Sequence, residues 1–263
     1  MRNTVRAGSA CPLFAALGLA LTLLACEDKE KKQTPAETQQ TSQEATASES
    51  QPSAEDKCPN AVTGNGTLTC GGKTYKTVKI GEQIWMAQNL NYAAEGSKCG
   101  GTVGSEVEVG DSGETDMAYY LEDENTANCD KYGRLYNWET AIKVCPSGWH
   151  LPSNAEWDKL FRYVDGTSGT ESPYASETAG KYLKAKSGWE NNGNGEDKFG
   201  FAALPGGEGV SGEFCFAGYS AYWLSSNSDD RVHGRFMNGR DERAAYYMSY
   251  GKSSFNSVRC IKD

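Results

Sequence analysis

Residues Tyr132 to Val164, YGRLYNWETAIKVCPSGWHLPSNAEWDKLFRYV, constrain the fold more than any other stretch. They hold Trp138, Trp149 and Trp157, three of the six tryptophans. In the second half, Ser153 is placed as an N-cap with Glu156 three residues on. This capping box satisfies two backbone donors that a helix start leaves open. Trp157, Leu160, Phe161 and Val164 then recur at i, i+3, i+4 and i+7, one apolar face of a helix. The first half puts Trp138, Ala141 and Ile142 on a shorter helical face. Cys145-Pro146-Ser147-Gly148 separates the two, because proline disfavours helix in the residue before it and glycine accepts a positive φ. The stretch reads as helix, turn, helix, with aromatic faces that need a sheet to cover them.

Covalent constraint comes from cysteine. Of nine cysteines, Cys11 and Cys26 fall near the start; the other seven are Cys58, Cys70, Cys99, Cys129, Cys145, Cys215 and Cys260. Seven in an exported domain read as a disulfide framework with one left over. No pair has the Cys-x2-Cys spacing and only His150 and His233 are present, which argues against zinc. The connectivity does not follow from the sequence; the favoured pairs are Cys145–Cys260, Cys58–Cys70 and Cys99–Cys129, with Cys215 unpaired.

Residues 1–25 read as a secretory signal: Arg2 and Arg6 form the positive end, and Pro12 to Leu24 is an apolar run too short to span a bilayer. It ends Leu23-Leu24-Ala25-Cys26, which looks like a bacterial lipobox with Cys26 as the acylated thiol. Without the signal, 26 basic residues fall to 24 against 35 acidic ones, a net charge of −11. An acidic chain without a basic cluster argues against nucleic acid or an anionic lipid surface as partner. Residues 26–57 carry no aromatic or large aliphatic side chain after Cys26 and cannot offset ordering entropy, so they read as a disordered stalk. Its span as a flexible coil is roughly 30 Å. The expected location is the cell envelope, with the membrane as partner through the lipid anchor.

The folded domain is expected over 58–263. Lys73 to Met86 reads as a β-hairpin turning at Gly81-Glu82. Residues 91–131 are acidic and rich in glycine, a long surface excursion stapled by Cys99 and Cys129, with a short strand at Tyr119, Tyr120 and Leu121. Ala179 to Ala185 reads as a helical turn. Strands are expected at Tyr222 to Ser226, Gly234 to Met237, Ala244 to Tyr250 and Phe255 to Ile261. Two central helices followed by short antiparallel strands make the class α+β, disulfide-stabilised.

YGRLYNWETA, CPSGWHLPSNAEWDKL and the terminal SVRCIKD together resemble the Fibrobacter succinogenes major paralogous domain family, over Lys73 to Asp263. HLPSNAEW and the Arg-Cys end are also similar to the RLPTEAEW and GFRC motifs of the sulfatase-modifying (formylglycine-generating) family. That likeness implies a C-type-lectin-like fold. It also raises an oxidoreductase alternative, since those enzymes use a reactive cysteine pair with copper.

Weighed against that alternative, Cys215 lies in Glu213-Phe214-Cys215-Phe216, where aromatic neighbours point to burial and a quenched thiol. No Ser-His-Asp order, carboxylate pair or phosphate loop stands out, so no catalytic residue, cofactor or metal ligand is assigned. His150 reads as structural, and His233 as exposed on a strand. Calcium would need six to eight oxygens; Asn191 to Asp197 and Asn227 to Asp230 offer them in loops, but solvated turns explain both stretches. Trp189, Tyr119 and Tyr120 are the candidates for stacking on sugar rings. The expected function is binding or adhesion at the envelope, with polysaccharide as ligand and no enzyme activity. A purely structural envelope protein is the third reading.

Overall fold

The computed structural model describes residues 57–101, 107–108, 117–118, 124–166, 175–210, 213–248 and 251–263. The signal and stalk readings, Cys26, Tyr119, Tyr120 and Leu121 lie outside them. The described chain opens with four strands in an antiparallel meander: β1 (Val62–Gly64), β2 (Thr67–Cys70), β3 (Lys73–Ile80) and β4 (Gln83–Met86). The β3–β4 hairpin turns where expected: Ile80 pairs with Gln83, and Gly81 takes φ +60°, which glycine adopts without cost. A Cβ there would also lie 2.9 Å from the Tyr163 ring. Two further short strands pair with each other, β5 (Val107–Glu108) and β6 (Met117–Ala118), before helix α1 (Ala127–Tyr132) and strand β7 (Leu135–Tyr136).

Helix α2 (Trp138–Val144) starts at Asn137, whose side chain accepts from the Thr140 amide at 2.9 Å. It ends at Cys145, extended ahead of Pro146. Its buried positions are Ala141 and Val144; Ile142 is 38% exposed, so the expected face is rotated away from it. In a seven-residue helix either face satisfies the spacing, and packing decides. After β8 (Trp149–His150), helix α3 (Asn154–Asp165) has the capping box in full: Glu156 accepts from the Ser153 amide at 2.7 Å, and Ser153 caps the Glu156 amide. Its buried face is Trp157, Leu160, Phe161 and Val164, as the spacing requires. Ser153→Ala should cost about 1 kcal/mol, read as a lower urea midpoint at unchanged slope.

The rest of the chain contributes β9 (Ala175–Ser176), α4 (Ala179–Leu183), β10 (Gly206–Val210), β11 (Glu213–Ala217), β12 (Ser220–Ser228), β13 (Val232–Asn238), β14 (Ala244–Met248), β15 (Asn256–Ser257) and β16 (Ile261–Lys262). One sheet runs β1-β2-β3-β4-β16-β8, so the last strand sits between the hairpin and the strand that precedes α3. The other runs β11-β10-β12-β13-β14-β9, with β15 joined to β12 and β7. The class is α+β, as expected, and most pairings are antiparallel. Two are not: β10 and β15 each meet β12 in parallel, at Gly207–Ala221 and Trp223–Ser257. The strand expected over Phe255 to Ile261 is two short ones instead, because its middle turns inward to bury Val258, Arg259 and Cys260.

Three disulfides have the favoured pairing, Cys58–Cys70, Cys99–Cys129 and Cys145–Cys260, with Cα separations of 5.6, 4.9 and 5.8 Å. The Cys58 amide also donates to Val144 O at 3.0 Å, one residue from Cys145. Cys215 is disulfide-bonded too, which corrects its expected unpaired state.

Two apolar clusters fill the domain. One gathers Leu68, Tyr75, Met86, Leu90, Tyr136, Val144, Leu224 and Val258 around Cys145–Cys260. The other centres on Trp157, whose ring lies 4.7 Å from Trp85 and 6.1 Å from both Trp223 and Phe201. Arg259, fully buried, runs beside this second cluster with its guanidinium 4.1 Å from the Phe201 ring centre.

Candidate functional site

The residues that make the sequence recognisable are occupied in holding the scaffold. Asn154 ties α3 to the second sheet: its amide donates to Asn227 Oδ1 at 2.7 Å, and its Oδ1 accepts from Ser225 Oγ and Arg235 Nη1, each at 2.9 Å. Arg235, 2% exposed, completes the joint through Asp158 at 2.5 Å. His233 is not on an open strand face as expected. It lies between Asn154 Nδ2 at 2.9 Å and Asp229 Oδ2 at 3.1 Å. Asn89 is a second joint: its Oδ1 accepts from Trp223 Nε1 at 2.9 Å and Arg259 Nε at 2.8 Å, and its Nδ2 donates to Tyr132 O at 2.8 Å.

His150 has the structural role assigned to it. Its Nδ1 lies 2.7 Å from Asp263 Oδ1 and its Nε2 2.9 Å from Glu156 Oε1. Burial pushes its pKa down, but the two carboxylate hydrogen bonds outweigh this and leave it above 6.5. Burial likewise pushes Glu156 up, and the Ser153 and His150 hydrogen bonds leave it below its usual 4.5. A raised histidine adds stability that is complete below its unfolded pKa and is lost as pH rises through the folded one. A lowered glutamate adds stability above its unfolded pKa that is lost as pH falls through the folded one. The urea midpoint of the wild type should therefore fall as pH rises above 6.5, and His150→Gln should reduce that slope.

Trp189 is not a surface platform. It is 5% exposed, donates from Nε1 to Ala203 O at 2.8 Å, and has Lys184 Nζ 5.2 Å from its ring centre. A polar sequence neighbourhood suggested a loop, but the loop folds over and buries the ring. Cys215 is 2% exposed and disulfide-bonded, so it is not a free thiol. The loop oxygens considered for calcium are engaged locally: Asn194 Oδ1 accepts from the Trp189 amide, Asp197 Oδ1 from the Ala202 amide, and Asp229 Oδ1 from the Arg231 amide. Among the described residues, no three His, Cys, Asp or Glu side chains gather as a cation site.

What the sequence did not reveal is an open cleft of about 390 Å³ beside the Cys99–Cys129 disulfide, lined by Lys73, Asn91, Tyr92, Glu124, Asp130 and Arg134 among others. The cleft lies beside the Cys99–Cys129 bond, where several hydrogen bonds join its walls. Lys98 and Leu135 exchange backbone hydrogen bonds at 2.9 and 2.8 Å, and Asn128 Nδ2 donates to the carbonyls of Gly100 at 3.0 Å and Gly101 at 2.6 Å. The opposite wall, Asn91 and Tyr92, is fixed by two tyrosine hydroxyls. Tyr75 accepts from the Asn91 amide at 3.2 Å; Tyr136 accepts from the Tyr92 amide at 3.0 Å and donates to Tyr92 O at 2.7 Å. Burial holds the Tyr136 phenol well above its usual pKa, so it remains a donor. The Tyr92 ring packs over Gly71, where a Cβ would come within 2.6 Å. Gly133, at φ +83°, approaches so closely that a Cβ would lie 2.8 Å from Asn89 and 3.0 Å from Leu90 O, and this sets the base from which Arg134 reaches the cleft. An aromatic ring, an amide and a guanidinium on fixed backbone, all partly open, are the chemistry that stacks on and hydrogen-bonds a polar ring.

A second feature lies deeper. Glu208, in β10, is 3% exposed and accepts from Tyr247 Oη at 2.6 Å, and burial raises its pKa to about 7. Asn256, fully buried, has neither side-chain polar atom bonded.

Residues 78–262 match the family described as the Fibrobacter succinogenes major domain. No curated protein and no solved structure matches the chain.

Proposed function

We propose that this chain, which belongs to the Fibrobacter succinogenes major domain family, is an envelope-anchored binding protein that takes polysaccharide in the cleft beside Cys99–Cys129. The single observation behind the reading is that cleft. Tyr92, Asn91 and Arg134 line it, and their backbone is fixed by Tyr75, Tyr136 and the close approach at Gly133. A site whose geometry is set before the ligand arrives loses less entropy on binding. In this reading Tyr119 and Tyr120, in the sequence between Cys99 and Cys129, are the further stacking candidates. Anchoring is through acylated Cys26, with several acyl chains at about 0.8 kcal/mol per buried CH2 holding the protein in the membrane.

The finer fold reading is C-type-lectin-like. It is supported by helices α2 and α3 lying between the N-terminal hairpin and the later strands, by the last strand returning beside β4, and by the disulfide from the α2–β8 bend to the residue before that strand.

A glycan array probed with the full chain, with and without Ca2+, tests the binding reading. Retention of at least one polysaccharide class, weakened about tenfold by Tyr92→Ala, is expected, since base or sugar stacking on one ring contributes on the order of 1–3 kcal/mol. Retention of none would favour a purely structural envelope protein. Metabolic labelling with an alkyne fatty acid tests the anchor: label on the wild type and none on Cys26→Ser is expected, and an unlabelled wild type would overturn it.

A further inference from the structure

We infer that the cleft selects an acidic polysaccharide, one bearing carboxylate or sulfate groups, and that Arg134 takes the anionic group. This rests on the polysaccharide reading above. The inference comes from how charge is distributed around the cleft. Glu124 is engaged twice: Oε1 accepts from the Cys99 amide at 2.7 Å and Oε2 lies 3.7 Å from Lys98 Nζ. Asp130 faces Lys73 Nζ at 3.6 Å. Each acid of the cleft is thus matched by its own lysine. Arg134 is the cation left over. Among the described residues no carboxylate approaches it, and its guanidinium makes only long contacts with Ser97, 3.3 Å to Oγ and 3.4 Å to O.

A half-buried guanidinium with most of its donors unused, in a chain of net charge −9, is an anion acceptor by chemistry. Its planar fork meets a carboxylate or sulfate with two parallel hydrogen bonds, and it is more weakly hydrated than an ammonium. The Gly133 backbone fixes the base of the side chain and Ser97 meets Nη1 at its tip, so part of its freedom is lost before the fork engages. Tyr92 and Asn91 on the facing wall then meet the ring and hydroxyls of the same residue of the sugar chain. The chain's overall negative charge would repel an acidic polymer elsewhere, so selectivity concentrates at this one cation.

The test compares the full chain on three immobilised polymers: polygalacturonate, a sulfated galactan and a neutral galactan. Binding to one or both acidic polymers, weaker at high salt and absent on the neutral one, is expected. Arg134→Gln should lose about tenfold or more on the acidic polymers, and Arg134→Lys should recover only part, because it keeps the charge without the fork. Arg134 makes too few contacts for the variants to unfold the domain, and the salt titration of the wild type reads the same interaction without any substitution. Equal binding to acidic and neutral polymers, or binding unchanged in Arg134→Gln, would overturn the anionic selectivity and leave the polysaccharide reading standing. Binding to none of the three, with none on the wider array, would remove both.

Discussion

Arg259→Ala should destabilise the domain by about 3–5 kcal/mol, because it strands two or more buried acceptors at about 1–3 kcal/mol each. The guanidinium is fully buried, and among the described residues no carboxylate forms an ion pair with it. It is held by neutral acceptors: Asn89 Oδ1 at 2.8 Å, Ala202 O at 2.8 Å, and the carbonyl of Phe201. Burial pulls its pKa down to about 9, against which Asp197 acts, so it is charged at neutral pH. The charge is tolerated because oriented carbonyls and the faces of Phe201 and Trp223 surround it. Ala202 adds to the effect. It sits at φ +50°, a left-handed conformation that an alanine adopts only under constraint. Its amide donates to Asp197 Oδ1 at 2.7 Å and its carbonyl accepts from Arg259, so the two charged groups clamp it from both ends. Removing Arg259 releases the clamp. Arg259→Lys should recover little, since one ammonium cannot reach Asn89 and both carbonyls together. Urea unfolding followed by tryptophan fluorescence reads the loss directly, because Trp223 shares Asn89 with Arg259.

The second large effect is expected from the double variant Cys145→Ala, Cys260→Ala. The two residues are 115 apart in sequence. In the chain-entropy account, closing a loop of that length contributes about 4–5 kcal/mol, whereas loops of the lengths closed by Cys99–Cys129 and Cys58–Cys70 contribute about 3–4 and about 3 kcal/mol. Thermal unfolding of the three double variants should rank them in that order. A loss at Cys145–Cys260 no larger than at Cys58–Cys70 would mean that the unfolded chain is not what this bond constrains. Packing argues the same way as entropy: both sulfurs lie inside the first apolar cluster, with Cys260 fully buried and Cys145 4% exposed.

The parts of this structure that could be read from sequence are those set by local chemistry. Ser153 and Glu156 announce a helix start whatever surrounds them, and the Trp157 to Val164 spacing shows which face goes inside. Gly81 marks a turn for the same reason. The parts that could not be read depend on partners distant in the chain. Arg259 would be placed at the surface by composition; it is buried because Asn89, Phe201 and Ala202 converge on it from other elements. Trp189 looked exposed among glycines and asparagines; the turn fixed by Asn194 folds it onto Ala203. β10 is GGEGV, with no alternation to betray a strand, and it forms through pairing with β11 and β12. The cleft is the clearest case. Its walls come from residues 71–73, 91–99, 124–130 and 134, and the Cys99–Cys129 bond, the Lys98–Leu135 pairing and the tyrosine hydroxyls bring them together.

Cys58, where the fold begins, hydrogen-bonds Val144, and the next residue, Cys145, is bonded to Cys260 near the end of the chain. Entry and exit therefore meet at the same two adjacent positions. A unit whose ends emerge side by side can be spliced into a host's surface loop, or strung in series, without prising the host apart or stretching its own strands.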